Sequence, residues 1–226
     1  MPLVIENISK SFKLQGASFE VLQNINLELN EGEVTVILGK NGSGKSTLLK
    51  IIGGILPYDS GKIIYDGKNI NSSECKRRVF LEKKVGIIPQ NNELIRELSV
   101  YDNVSLPLRY RGKRSLEIEK KVSKLLEFVG LYDIKDKQVS LLSGGEKQRT
   151  AIARALVKEP DIILADEPTS ALDEKMNEKI LDLFTQLKSK NVITVIVTHD
   201  NELAKKFDKV VRIVDGRISE CKPIHS

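Results

Sequence analysis

Gly39-Lys40-Asn41-Gly42-Ser43-Gly44-Lys45-Ser46 constrains this chain more than any other segment, because it fits GxxxxGK[ST] and sits between two clear patterns. Val34-Thr35-Val36-Ile37-Leu38 precedes it as a short continuous apolar run, the mark of a strand buried on both faces. Leu48, Leu49, Ile51 and Ile52 follow at helical spacing. Glycines let the backbone wrap a phosphate chain so that consecutive N–H groups point inward at a helix N-terminus. In that arrangement Lys45 neutralises the β- and γ-phosphates, Ser46 offers an oxygen to Mg²⁺, and Thr47 contacts an earlier phosphate. The plain alternative is a flexible glycine loop with an unrelated lysine, but it does not account for the strand before and the helix after. The segment reads as a nucleotide site.

The rest of the chain alternates as such a site requires. Leu3–Ile8 and Glu20–Leu29 alternate apolar and polar residues, and are expected to form a small antiparallel sheet closed by the turn Asn30-Glu31-Gly32. Lys62–Tyr65, ended by Asp66-Gly67, reads as a strand and turn, and Val85–Ile88 as a buried strand stopped by Pro89. Helical patterning dominates Ser99–Val157, where Ser99 with Asp102 makes a near capping box and Leu116–Phe128 carries an apolar face. Strands return at Ile162–Ala165, Val192–Val197 and Val210–Val214, separated by a helix over Lys175–Lys188 and a shorter one. Strand and helix alternating at both ends predict an α/β domain with a parallel sheet. The expected organisation is a single domain, 1–226, with a core from 1–89 and 160–226 and an inserted helical subdomain over 90–159.

Composition narrows the function classes. A chain of 226 residues with 40% apolar content buries roughly three-quarters of its unfolded surface and needs no covalent staples. Two cysteines make neither a disulfide framework nor a CxxC pair, which fits a reducing compartment. The start MPLVIENISKSF lacks a signal-peptide core, and no apolar stretch approaches the ~18–20 residues that span a bilayer. Aromatics at 5% with no Trp argue against a stacking surface for single-stranded nucleic acid. From Lys76 to Lys124 there are 13 Lys/Arg against 6 Asp/Glu, whereas the other 23 basic and 25 acidic residues nearly cancel. This run is either a solvated surface or a face for anionic headgroups or an acidic partner, of which Arg109, Arg111, Lys113 and Arg114 would form part.

Two further segments carry chemistry. Ile162-Ile163-Leu164-Ala165-Asp166-Glu167-Pro168 is an apolar strand that delivers two carboxylates at its carboxyl end, the end that faces the ligand crevice in a parallel sheet. Asp166 is placed to hold Mg²⁺ and Glu167 to polarise an attacking water. Leu142-Ser143-Gly144-Gly145-Glu146-Lys147-Gln148-Arg149 opens a helix with Ser-Gly-Gly, which suits either a second anion site or an ordinary N-cap with permissive glycines.

With these motifs in this order, the chain resembles the ATP-binding subunit of ABC transporters over essentially its whole length. LSGGEKQR is similar to that family's signature sequence, with Glu146 where glutamine is commonest. The resemblance implies a P-loop NTPase core with a parallel sheet, a small antiparallel β subdomain and an inserted helical subdomain. It further implies that Gln90 senses Mg²⁺ and the γ-phosphate beside a membrane subunit, and that His199, in Val197-Thr198-His199-Asp200, contacts the γ-phosphate. Ser170-Ala171-Leu172-Asp173 matches the loop that crosses to a partner protomer, and Phe12 falls where the family stacks an aromatic on adenine. The implied activity is hydrolysis of ATP with Mg²⁺ held by Ser46, Gln90 and Asp166, and with Lys45, Gln90, Glu167 and His199 as the catalytic set. ATP would lie between Phe12 with Gly39–Thr47 of one copy and Ser143, Gly144, Gly145 and Asp173 of another, because each half-site alone is incomplete.

Within the family, Asn103–Gly112 and the tail Ala-Ile-Ala-Arg-Ala-Leu look most like the bacterial subgroup for lipoprotein release, macrolide export and antimicrobial-peptide export. The Ser-Ala-Leu-Asp form of the crossing loop is commoner among importers. The resemblance thus implies a subunit that energises a separate membrane permease, placed in the cytoplasm at the inner face of the membrane, touching the bilayer only through that permease and binding no nucleic acid. Two other readings stay open: a regulator of cell-wall hydrolases acting through a membrane partner, and a non-transport ABC ATPase.

Overall fold

The computed structural model describes residues 1–14, 16–70, 73–110, 112 and 115–223. Among the described residues ten strands form two sheets. β1 (Leu3–Leu14), β2 (Ala17–Leu29), β4 (Ser60–Tyr65) and β5 (Lys68–Asn69) make an antiparallel sheet in the order β2-β1-β4-β5. β3 (Val34–Leu38), β6 (Val85–Ile88), β7 (Ile162–Asp166), β8 (Ile193–Thr198), β9 (Lys209–Val214) and β10 (Arg217–Pro223) make the second, in the order β10-β9-β3-β8-β7-β6. That sheet is parallel apart from its antiparallel edge strand β10. Every residue of β3, β7 and β8 is buried, as continuous apolar runs covered on both faces require.

One expectation fails in a specific way. Asn30-Glu31-Gly32 does turn, with the Glu33 N–H donating to the Asn30 carbonyl, but it does not close the antiparallel sheet. It hands the chain from β2 to β3 in the other sheet. β1 and β2 instead run on past Ile8 and back before Glu20, pairing as far as Leu14 with Ala17. Tip residues carry little apolar periodicity, so the hairpin is longer than its hydrophobic pattern.

The helices are α1 (Lys45–Ile52), α2 (Glu74–Lys84), α3 (Val100–Arg109), α4 (Ser115–Phe128), α5 (Gly144–Leu156), α6 (Glu174–Lys188) and α7 (Asn201–Ala204). α2 has no counterpart in the sequence reading: Phe80 is its one buried residue, so apolar periodicity is nearly absent. Three apolar clusters organise the molecule. The first packs the antiparallel sheet and α1 against one face of the parallel sheet, through residues such as Ile5, Leu22, Leu48 and Ile52. The second packs α6 on the other face, through Val36, Ile180, Phe184 and Ile196. The third joins α3, α4 and α5 through Val104, Val122, Leu126 and Ala153, giving the helical segment a core of its own.

Part of the basic run is spoken for. Arg109 pairs with Asp102 at 2.7 Å, Lys84 with Asp161 at 2.5 Å and Lys121 with Glu159 at 2.7 Å. Arg111, Lys113 and Arg114 lie outside the described residues. Among the described residues no helix is long and apolar enough to cross a membrane.

Candidate active site

Sheet register brings the motifs together. Leu38 pairs with Thr198 and Asp166 pairs with Val197, so β3, β7 and β8 end at one level. The phosphate loop, Asp166-Glu167 and Thr198-His199 therefore emerge side by side at the carboxyl edge, where ligands bind in such sheets.

The loop is built around close approaches. At Gly44, φ is 101°, and an added Cβ would lie 2.7 Å from Leu22 Cδ2 and 2.8 Å from the Val21 carbonyl oxygen. Gly39 is equally tight: a Cβ there would meet the Ile213 carbonyl at 2.5 Å. Only glycine lets the loop seat between β2 and β9. Lys45 is buried, and its Nζ donates to the carbonyls of Gly39 and Lys40 at 2.8 Å each. The ammonium is thus held against its own loop at the start of α1. Ser43 adds a buried hydroxyl with no hydrogen-bond partner, a polar group that an enclosed phosphate would satisfy.

Asp166 is buried beside the loop. Burial pushes its carboxyl above the ordinary aspartate range, a hydrogen bond with Ser46 opposes that, and the charge of Glu167 adds to it. A buried carboxylate and a serine hydroxyl at a phosphate loop are hard oxygen donors. They suit Mg²⁺, which takes one or two carboxylates and completes its shell with water and substrate phosphates. Among the described residues no three His, Cys, Asp or Glu cluster as an all-protein metal cage.

Glu167 has φ 49°, in the left-handed region that is costly for a residue with a Cβ. Its N–H donates to the Val197 carbonyl at 2.9 Å, and its carboxylate is gripped by β8. The Thr198 hydroxyl donates to Oε2 at 3.0 Å and the His199 N–H to Oε1 at 3.1 Å. His199 Nδ1 lies 2.6 Å from Oε1. The carboxylate side chain is only 12% exposed while the imidazole is 70% exposed, so the ring covers the acid and keeps its other edge in solvent. Asp200, not His199, caps α7, accepting from the N–H groups of Glu202 and Leu203.

The signature segment forms the N-cap that the sequence allowed. Ser143 caps α5: its hydroxyl accepts from the Glu146 N–H at 3.3 Å, and Glu146 Oε2 accepts from the Ser143 N–H at 2.7 Å. That backbone bond, with the nearby cations Lys137 and Arg149, holds the Glu146 carboxyl below its ordinary range. The helix N-terminus still presents Gly144 and Gly145. A Cβ on Gly145 would sit 3.0 Å from the Ala171 carbonyl, so the turn packs on its own chain's Ser170–Asp173 loop. Asp173 caps α6 through the Met176 N–H at 3.0 Å. Gln90 is exposed in the turn after β6, and Phe12 lies on β1 opposite Phe19, 40% exposed, with Lys10 Nζ 5.4 Å from its ring centroid. A cavity of about 600 Å³ beside Gly39–Ser43 reaches His199 and Arg212 but not Phe12.

Three residues were missed. Thr198 orients Glu167, and only its place before His199 hinted at a role. Gln148, buried on α5, donates to the Pro168 carbonyl at 3.1 Å and so ties the signature helix to the residue after Glu167. Arg154, on the same helix, donates to the carbonyls of Asn92 and Glu93. Nothing in the spacing of Gln148 or Arg154 marks those partners.

Comparison with known proteins agrees with this geometry. The family model for ABC transporters matches residues 22–170. The chain is 40% identical over 219 residues to the putative hemin import ATP-binding protein HrtA of Staphylococcus haemolyticus, across 96% of this chain and 99% of that protein. It is 38% identical over 218 residues to the methionine import ATP-binding protein MetN 1 of Listeria monocytogenes, across 96% of this chain but 64% of that longer protein. Among solved structures it resembles the dimeric post-hydrolysis state of the ATP-binding cassette MJ0796 bound to ADP and Pi. There the TM-score is 0.95, with 33% identity and 99% of each chain covered.

Proposed function

This chain belongs to the ABC transporter family, and we propose that its ATP hydrolysis is driven from the Glu167–His199 centre and energises a membrane permease carried on separate chains. The supporting observation is the convergence at one sheet edge of Lys45, Asp166 with Ser46, and Glu167 with His199.

ATP enters the loop with its β- and γ-phosphates replacing the Gly39 and Lys40 carbonyls as partners of Lys45. Ser46 and Asp166, joined by Gln90, would hold Mg²⁺, and the chemistry it would supply is to offset the phosphate charge. Glu167 aligns a water in line with the γ-phosphorus. The water oxygen forms the new P–O bond as the bond to the bridging oxygen of ADP breaks, and the water proton leaves toward the Glu167 carboxylate. His199, docked on Glu167 through Nδ1, keeps its free edge for the γ-phosphate. Phe12 supports the base.

Ser143, Gly144, Gly145 and Asp173 of a second copy complete the site, and the segment 90–159 acts as the helical subdomain that carries them. Ser143–Gly145 packs on Ala171 within its own chain, which leaves its helix N-terminus available to a nucleotide held elsewhere. The test uses Glu167→Gln with Cys75→Ser and Cys221→Ser, adding cysteines at Asn41 and Leu141. ATP should promote an intermolecular bis-maleimide crosslink, and its failure to do so sinks the head-to-tail site.

The permease places this subunit at the inner face of the membrane. Its cargo divides two readings. Asn103–Gly112 and the tail of α5 support the subgroup for lipoprotein, drug or peptide export, including members that transmit force. The names of the relatives, putative hemin import and methionine import, support uptake. Deletion separates them: new sensitivity to a peptide or macrolide favours export, failure to grow on a limiting nutrient favours uptake, and chained cells favour control of cell-wall hydrolases.

A further inference from the structure

Arg154 stands on the last turn of α5, and its guanidinium bonds two backbone carbonyls rather than a carboxylate. Nη2 donates to the Asn92 carbonyl at 2.9 Å and Nη1 to the Glu93 carbonyl at 2.8 Å. Burial pulls the guanidinium below its ordinary pKa, with the Glu93 charge opposing. The two acceptors are consecutive residues with left-handed backbone, φ 61° at Asn92 and 44° at Glu93. The planar fork of an arginine offers one N–H to each of two such carbonyls in a fixed geometry, whereas a lysine ammonium, which can also bridge neighbouring carbonyls as Lys45 does, carries no rigid fork to set their orientation.

The same short segment is held on its other side. Asn103, fully buried on α3, accepts from the Ile95 N–H at 2.9 Å and donates to the Ile95 carbonyl at 3.0 Å. At the front, the Asn92 N–H donates to the Pro89 carbonyl at 3.1 Å, closing a turn with Gln90 and Asn91 at its tip. Gln90 and Asn91 are therefore the exposed residues of a turn whose rear is bolted to two helices. α5, which begins at the Ser143 cap, is one of them.

We propose that Arg154 is a positioning residue that sets where Gln90 stands relative to the nucleotide by fixing residues 92 and 93 to the signature helix. This rests on the reading that Gln90 works at the nucleotide site. A shift of α5 would then move Gln90 with it, so occupancy at Ser143 and the placement of Gln90 are mechanically linked within one chain.

The experiment uses the full chain with Cys75→Ser and Cys221→Ser, and compares Arg154→Met, Arg154→Lys and Gln90→Ala, singly and combined. Steady-state ATPase is one readout, and the mobility of a spin label at Asn91→Cys is the other. Arg154→Met should lower kcat about tenfold with KM for ATP nearly unchanged, and should loosen the label. In the Gln90→Ala background it should add less than about twofold, because the residue it acts through is gone. Arg154→Lys should fall between wild type and Arg154→Met on both readouts, and it decides the matter if Arg154→Met does not fold. Unchanged label mobility overturns the proposal, as does full additivity with Gln90→Ala. Wild-type kcat in Gln90→Ala alone overturns the reading of Gln90 instead, and the label then judges the clamp by itself.

Discussion

Glu167 Oε1 accepts the His199 backbone N–H at 3.1 Å and also lies 2.6 Å from His199 Nδ1, so one carboxylate oxygen is fixed by both ends of the same residue. The other oxygen takes the Thr198 hydroxyl. These bonds hold a carboxylate whose backbone sits in the left-handed region. Such strain persists only where surrounding structure over-determines it, and functional sites are where it concentrates.

Glu167→Gln preserves the side-chain shape but turns one oxygen into a donor and removes the charge that orients water. ATP binding should survive, turnover should fall about 10²-fold or more, and the ATP-bound dimer should accumulate on size exclusion. Hydrolysis at near wild-type rate would remove Glu167 from the mechanism.

Lys45→Ala tests the loop. The substitution takes away the ammonium that satisfies the Gly39 and Lys40 carbonyls, and with it the cation facing the phosphates. Gly39 is half-buried and Lys40 exposed, so water can replace the ammonium at these carbonyls and the nucleotide-free protein should lose no more than about 1 kcal/mol. Wild type should melt higher when ATP is added and the variant should not, because only a ligand bound to the folded form shifts the melt.

What the sequence revealed and what it hid follow from range. The phosphate loop, β7 with its two acids, and the Ser143 cap are local patterns, and each folded as its neighbours required. The side-by-side ends of β3, β7 and β8 depend on strand order, with β3 lying between β8 and β9. Sequence order contains no such statement. Gln148 on Pro168 and Arg154 on Asn92 are side chain to backbone bonds across 20 and 62 residues, and a carbonyl acceptor leaves no trace in residue identity. α2 escaped because a helix lying on the surface with one buried residue has almost no apolar period.

Asp166→Asn should show the cost of holding a carboxylate ready for a cation. Burial raises the carboxyl above its unfolded value, so between those two values the folded state binds more protons and stability falls as pH rises. At pH 7 the charge therefore works against the nucleotide-free fold. The variant should melt above wild type at pH 7, and the gap should close as pH drops below about 3.9, where the unfolded acid is also protonated. Mg²⁺-dependent turnover should be lost at the same time. A variant that melts below wild type at pH 7 would contradict the burial argument.

Asp208→Asn supplies the opposite sign far from the chemistry. Asp208 Oδ1 pairs with Lys188 at the end of α6 at 2.5 Å, and Oδ2 accepts the Val34 N–H at 3.1 Å where β3 begins. Burial alone pushes this carboxyl up, but the Lys188 hydrogen bond and charge and the Val34 N–H outweigh it, leaving it below the ordinary range. A depressed carboxyl contributes stability that is present above the unfolded pKa of about 3.9 and is lost as pH falls through the folded value. The variant should therefore be less stable than wild type by about 1–3 kcal/mol at pH 7 in urea denaturation. That difference should shrink once the pH drops below the ordinary aspartate range. Because Val34 opens β3 at the end away from Gly39, kcat and KM for ATP should stay at wild-type values where the variant is folded. Loss of turnover in a folded Asp208→Asn protein would mean that strain at the start of β3 reaches the phosphate loop, five residues away through a fully buried strand.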